Sequence, residues 1–265
     1  MGYRLLTAAS SETGHVRVSN QDAAFSASWG AAVADGVGGG PSGDLASAAF
    51  VHRLVAGGLL VSDADELRVH LREANWDLGA HVRRNPDLRG MATTFTGLVV
   101  TTTGELLLAH VGDSRGYRLR HAQLEQQTRD DSYVQVLVDR GLLDPQQAAT
   151  HPRRNIITAS FGGGEDDPVA VGIADAEAGD RWLLCSDGVS DYLDDEEIGL
   201  ALLRGRTPAA AADALVALAL DAGSRDNVTA VVCDVVRGPS DPRELPVFHG
   251  SAGEWFQEHE GLTAS

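Results

Sequence analysis

The sequence predicts an α+β fold, antiparallel sheets flanked by helices, and three observations predict it. Two long helical stretches follow one another directly, so the strand-helix-strand alternation of a doubly wound parallel sheet is broken. The longest series of strand-like runs is a meander. The strands cluster in three groups, and the helices arrive in pairs.

In chain order, β-rich apolar runs bounded mostly by Gly, Asp, Asn or Pro are expected to form strands at Arg4–Ala9, Ala23–Ala27 and Ala31–Ala34. Helical periodicity then covers Asp44–Leu60 and Asp65–Arg84. Strands resume at Thr93–Thr101, Glu105–Val111 and Gly116–Leu119, with Thr103-Gly104 as a hairpin turn. A helix at Ser132–Asp139 ends near Gly141; strands at Val169–Ile173 and Arg181–Cys185 follow. Helices at Asp195–Arg204 and Pro208–Ala222 stop near Gly205 and Gly223, and Val228–Val236 is the last strand. From Arg237 onward Pro, Gly, Ser, Glu and His dominate and periodicity stops. Residues 1–236 therefore read as one domain and 237–265 as a tail that need not join the core, with Trp255-Phe256 docking on the surface.

Composition narrows the function. The chain has 265 residues, 43% of them hydrophobic, enough for a substantial core in one large domain. A net charge of −17 argues against nucleic acid and anionic membrane as partners, because both attract basic surfaces. Apolar runs such as Leu59–Val61 and Ala209–Leu220 are too short or interrupted to span a bilayer, and no signal-peptide start is present, so a cytoplasmic protein is expected. Cys185 and Cys233 lie inside strand-like runs and read as small buried hydrophobes.

Gly38-Gly39-Gly40-Pro41-Ser42-Gly43 matches the G-x-G-x-x-G pattern of dinucleotide sites, with acids at Asp63 and Asp65 about twenty residues on. The element after the helix at 44–60 is another helix, so no βαβ unit closes around this loop and the nucleotide reading fails. The glycines are better explained as letting the backbone near Asp35-Gly36 approach a ligand closely.

Four stretches carry chemistry: Asp35-Gly36, Gly112-Asp113-Ser114, Asp187-Gly188 and Asp226-Asn227. Each aspartate stands at the end of a strand-like run or just before one. Carboxylates delivered from several strands suit a hard divalent cation, which takes oxygen ligands and keeps several waters. Crowded together they would repel one another unless cations offset their charge.

With Arg17-Val18-Ser19-Asn20-Gln21-Asp22, Gly90-Met91-Ala92-Thr93-Thr94 and Thr128-Arg129-Asp130-Asp131-Ser132, these stretches stand in the order and spacing of a known family. From about Tyr3 to Val236 the chain resembles the bacterial branch of the PPM family of metal-dependent Ser/Thr protein phosphatases, the type 2C-like enzymes. The resemblance implies an αββα sandwich of two packed antiparallel sheets with a pair of helices on each outer face. It implies that Asp35 bridges two Mn²⁺ or Mg²⁺ ions, that the Gly36 carbonyl completes the first, that Asp187 and Asp226 hold the second, and that Asp113 with Asp187 holds a weaker third. Arg17 then binds the substrate phosphate, Asp22 orients water, and Asn20 and Asn227 fix the surrounding loops. The implied reaction is hydrolysis of phosphoserine or phosphothreonine by a water or hydroxide bridging the ions, with no covalent intermediate. Residues 130–154 match the family's flap beside the site. Expected partners are Ser/Thr-phosphorylated proteins and a Ser/Thr kinase, with the chain itself a monomer.

The chain also departs from the family. The positions where animal and many bacterial members place a general-acid histidine are Val37 and Gly40, so protonation of the leaving oxygen has no assigned residue, a metal-bound water or a substrate-borne group being the alternatives, and aryl phosphates should suffer less. Asp131 stands where the family usually has histidine. The rival reading is a pseudophosphatase that binds phosphoproteins without turnover. None of the nine histidines has zinc-like spacing, and His110 and His151 read as structural.

Overall fold

The computed structural model describes residues 2–37, 42–56 and 58–254. Its first half contains β1 (Tyr3–Glu12), β2 (Asp22–Ala27), β3 (Gly30–Val37), α1 (Gly43–Val55), α2 (Ala64–Arg84), β4 (Ala92–Thr93), β5 (Phe95–Val100), β6 (Leu106–Val111), β7 (Arg115–Arg120) and β8 (Gln123–Gln126). There follow α3 (Tyr133–Asp139), α4 (Pro145–Ala148), β9 (Ala170–Ile173), β10 (Arg181–Cys185), α5 (Asp187–Ser190), α6 (Asp195–Arg204), α7 (Pro208–Asp221), β11 (Val228–Arg237) and β12 (Val247–Gly250). One sheet runs β1-β11-β10-β7-β8; the other runs β12-β2-β3-β5-β6-β9, with β4 paired to β3. The ladders among the described residues are antiparallel, as the meander and the paired helices predict.

Successive side chains of a strand face opposite ways, and here both faces are covered. Val231, Cys233 and Val235 of β11 pack with Leu5, Val33, Leu98 and Trp182 between the two sheets. Val228, Ala230 and Val232 of the same strand turn outward onto Ile198, Leu202 and Leu215 of α6 and α7. On the other outer face Phe25 and Phe95 meet Phe50 of α1 and Leu67, Leu71 and Leu78 of α2. Three hydrophobic layers between four structural layers make the expected αββα sandwich. They also explain why the strands read as continuous apolar runs rather than as alternating ones.

Helix starts follow their capping residues. Asp63 accepts the amides of Asp65 and Glu66 ahead of α2, and Asp194 and Glu197 form a reciprocal capping box on α6. Thr207 caps α7, with Pro208 in the first turn.

Some expectations change. The first helix stops at Val55 rather than Leu60; beyond Gly58, at φ +87°, Leu59 and Val61 are still buried but in an extended link. Polar β8 has no apolar signature and escapes detection from sequence. The segment after Arg237, read as a tail that need not join the core, does pack on it in its described part. There β12 pairs with β2, the Glu244 carbonyl accepts the Trp29 indole N–H, and Ala252 is fully buried. Trp255-Phe256 and Gly38–Pro41 lie outside the described residues. The flanking elements are described: α1 is followed by α2, and β3 has antiparallel neighbours, so among the described residues no βαβ unit follows β3. Cys185 and Cys233 are buried and free. Among the described residues no helix is long and apolar enough to cross a membrane.

Candidate active site

Strand ends gather the acidic residues at one edge of the sandwich. Asp22 opens β2 and stands opposite Asp35 near the end of β3. Asp113 sits in the tight β6–β7 connection, Asp187 starts α5 immediately after β10, and Asp226 precedes β11. Because β10 and β11 are neighbours, Asp187 and Asp226 share an edge of the first sheet, while Asp22 and Asp35 come from the second. A Cβ added to Gly188 would lie 1.9 Å from the Asn227 carbonyl oxygen, so only glycine permits this approach of the two limbs.

Hydrogen bonds hold the backbones of Asp35 and Asp22. The Asp35 amide donates to Thr94 Oγ1 (3.0 Å), and the Asp35 carbonyl accepts from the Thr94 amide (2.8 Å) and Thr93 Oγ1 (3.0 Å). Ser186 Oγ donates to Asp22 Oδ2 (2.7 Å) and accepts the Thr229 amide (3.1 Å), tying the two sheets together beneath the site. Asn20 Oδ1 accepts the Asp22 amide. Asn227 accepts the Gln21 amide and donates to the carbonyls of Thr13 and Ser19, so its side chain is pinned in the 13–21 loop. Arg17, on that loop and half exposed, donates through Nη2 to Asp226 Oδ2 at 2.6 Å.

Asp131 receives a physical account. Its Oδ2 accepts the Gly112 amide (3.0 Å) and its own amide donates to the Gly112 carbonyl (2.7 Å). Gly112, at φ +106°, is held on its other side by Thr94, whose Cγ2 would be 2.6 Å from an added Cβ. The carboxylate at position 131 thus braces the turn that presents Asp113. His110 is structural as expected: its two ring nitrogens meet Thr96 Oγ1 and the Arg129 carbonyl, and burial lowers its pKa.

Electrostatics show the acids acting on one another. Burial, and then the charges of Asp22, Asp187, Asp113 and Asp226, hold the Asp35 carboxyl well above the usual range. Burial followed by Asp113 and Asp226 does the same to Asp187. Burial is likewise the leading cause that pushes Asp22 to about 6 and Asp113 to about 7. Arg17 is raised as well, but there the shift favours the charged form, through the Asp226 hydrogen bond first and then the charges of Asp226, Asp35 and Asp187. Such a cluster strains the folded chain unless positive charge enters it.

Three buried carboxylate oxygens, Asp22 Oδ1, Asp113 Oδ1 and Asp187 Oδ1, have no hydrogen-bond partner. Buried polar atoms are normally satisfied, and these three belong to the acidic cluster. Among the described residues no group of three or more His, Cys, Asp or Glu side chains is drawn together into a cage that would hold an ion by itself. The unpartnered atoms are all carboxylate oxygens, the donors taken by Mg²⁺-like ions, which use one or two carboxylates and fill the remaining positions with water. The donor set therefore fits hard divalent cations.

Beside the cluster, a cavity of about 390 Å³ is lined by Asp113, Asp187 and Asp191 on one wall and by Ser132, Val138 and Ala148 of the 130–154 segment on another. Arg154 pins that segment through an ion pair to Asp191, and Arg115 grips Asp130 with Nε and Nη2. Sequence reasoning gave no role to Ser186, Asp191, Arg115 or Arg154. Ser186 was visible only as the neighbour of Asp187, and the ion pairs join residues too far apart in the chain to be paired by spacing.

Comparison with known proteins agrees with this geometry. The family model described as "Protein phosphatase 2C" matches residues 13–220. The chain is 43% identical over 237 residues to the serine/threonine protein phosphatase PstP of Mycobacterium tuberculosis, covering 86% of this chain but only 45% of that protein's length. It is 32% identical to the serine/threonine phosphatase stp of Listeria monocytogenes, covering 76% of this chain and 82% of the relative. A crystal structure of Mycobacterium tuberculosis PstP/Ppp superposes with a TM-score of 0.81 at 40% identity, covering 88% of this chain and all of the other. The PstP catalytic domain in complex with two manganese ions gives 0.79 at 39% identity, covering 89% and 100%.

Proposed function

Because the chain belongs to the protein phosphatase 2C family, we propose that it hydrolyses phosphoserine and phosphothreonine in proteins with Mn²⁺ or Mg²⁺ as cofactor. The observation that carries this reading is the buried set of mutually repelling carboxylates with unpartnered oxygens, set beside an exposed arginine.

In this proposal Asp35, the Gly36 carbonyl, Asp187 and Asp226 would hold two ions, and Asp113 with Asp187 would hold a weaker third. The manganese pair in the PstP catalytic domain, a relative at 39% identity, supports that choice of metal. Bound there, the ions supply charge neutralisation of the phosphoryl group and a nucleophile at neutral pH. The rest falls to the chain. Arg17 presents a planar guanidinium that can grip two phosphate oxygens, and its bond to Asp226 keeps it at the rim of the cluster. Asp22, with one oxygen fixed by Ser186 and the other unpartnered, is placed to orient the attacking water. Asn20 and Asn227 hold the loops that carry Arg17 and Asp22. The 130–154 segment forms a wall of the cavity through which substrate approaches, and tunes entry.

The proposed partners are Ser/Thr-phosphorylated proteins and the Ser/Thr kinases that generate them, met in the cytoplasm by a monomer. The net charge of −17 supports this by disfavouring nucleic acid and anionic lipid.

The test is hydrolysis of a phosphothreonine peptide and an aryl phosphate by purified protein with Mn²⁺. Activity is expected with the ion and none with EDTA, and Asp187→Asn should lower kcat by at least about 100-fold. An Asp187→Asn variant as active as the native chain would sink the mechanism. Metal binding without turnover of either substrate would leave a phosphoprotein-binding module instead, the reading that Val37 favours by placing no acid at the end of β3.

A further inference from the structure

Phosphoserine and phosphothreonine are poor substrates in one respect: the departing oxygen is an alkoxide and must take a proton as the P–O bond breaks. The acids of the cluster are committed to ions and water in the proposal above, and a guanidinium does not give up its proton. An imidazole is the usual donor. Most of the histidines are engaged or distant. His110 is buried with its ring nitrogens bonded, His52 bonds the Ala252 carbonyl, and His249 lies beside Ser26. His70 and His81 belong to α2, on an outer layer, His121 lies in the β7–β8 turn, and His151 accepts the Arg153 amide through Nδ1 and packs on Tyr133.

His15 is different. It lies in the turn between β1 and β2 that is tied to the site on both sides of it. Asn227 donates to the Thr13 and Ser19 carbonyls, and Arg17 holds Asp226. Gly14, at φ +78°, packs so tightly on Asp226 that an added Cβ would lie 2.3 Å from the Asp226 carbonyl oxygen. Since consecutive Cα atoms are about 3.8 Å apart, the His15 Cα is within about 8 Å of that oxygen. The residue is exposed and, among the described residues, its ring has no hydrogen-bond or ion-pair partner.

We propose that His15 is the general acid, a catalytic residue standing on the phosphate-binding loop in place of a donor after β3. Water attacks phosphorus while the bond to the serine or threonine Oγ breaks. The bonding pair stays on Oγ, which takes the proton of the protonated His15 ring. Inorganic phosphate and the free hydroxyl leave, the attacking water's proton passes to solvent, and solvent returns a proton to the imidazole. The inference rests on the phosphatase reading.

The experiment compares His15→Gln with the native chain on two substrates, a phosphothreonine peptide and an aryl phosphate whose phenolate departs without help. General-acid assistance is worth roughly 100-fold or more. The expected result is therefore a kcat on the peptide about 100-fold lower, with kcat on the aryl ester within about 3-fold of native and the same Mn²⁺ stoichiometry by calorimetry. Equal losses on both substrates, or no loss on either, would overturn the role of His15. So would the same substrate-selective loss in His151→Gln, a histidine of the 130–154 segment whose Nδ1 accepts the Arg153 amide. A native chain inactive on both substrates would fail the phosphatase reading itself, and the inference with it.

Discussion

One hydroxyl decides how Asp22 is held. Ser186 Oγ donates to Asp22 Oδ2 and accepts the Thr229 amide, with Asp22 and Ser186 both buried. Ser186→Ala removes both bonds and leaves an acceptor and a donor unsatisfied in a dry environment. A loss of about 1–3 kcal/mol is expected, measured by urea unfolding with Mn²⁺ held constant. The aspartates could be read from sequence because Asp-Gly and Asp-Asn at strand ends form a repeated, ordered signal. Ser186 could not, because serine before an aspartate is common and its partner Asp22 is 164 residues away. Asp131 shows the opposite difficulty. Its departure from the family was visible at once, but its role was not, because that role is a bond to the backbone of Gly112 and no side chain marks the recipient.

At the scale of elements, segments with long apolar runs were legible and those whose fate depends on a neighbour were not. The strand β8 is polar and β12 follows a stretch rich in Pro and Gly, yet both become strands because an open sheet edge offers backbone partners. The consequence is sharp for β12. It covers β2, whose six residues are all buried, and Ser251 beyond it donates to the Asp22 carbonyl. A chain ending at Arg237 would bare the β2 edge and free the Asp22 backbone. That truncation should lower the unfolding temperature and promote association through the exposed strand, checked by calorimetry and light scattering.

For the whole molecule, the site is a balance between packing and charge. Asp22 at about 6 and Asp113 at about 7, with Asp35 and Asp187 also raised, mean that the folded chain keeps protons that the unfolded chain releases near pH 4. The sign follows: in chelator, these four groups contribute less stability as pH climbs from about 4 through 7. Divalent cations replace those protons, so stabilisation by Mn²⁺ should grow between pH 5 and 7.5. Near neutral pH and 100 times the dissociation constant, one ion should add about 2.7 kcal/mol, a rise of roughly 5–10 °C in Tm. A Mn²⁺ effect independent of pH would contradict the crowding of the carboxylates.

The contacts around the cluster span nearly the whole chain: Arg17 to Asp226 across 209 residues, Gln21 to Asn227 across 206, Ser186 to Asp22 across 164. No local segment can assemble the ligands early, and closing such long loops is slow. The ions therefore have nothing to grip until both sheets have docked. In stopped-flow experiments Mn²⁺ should leave the refolding rate nearly unchanged and slow unfolding, so that the metal acts as a lock on the finished sandwich and not as a seed for it.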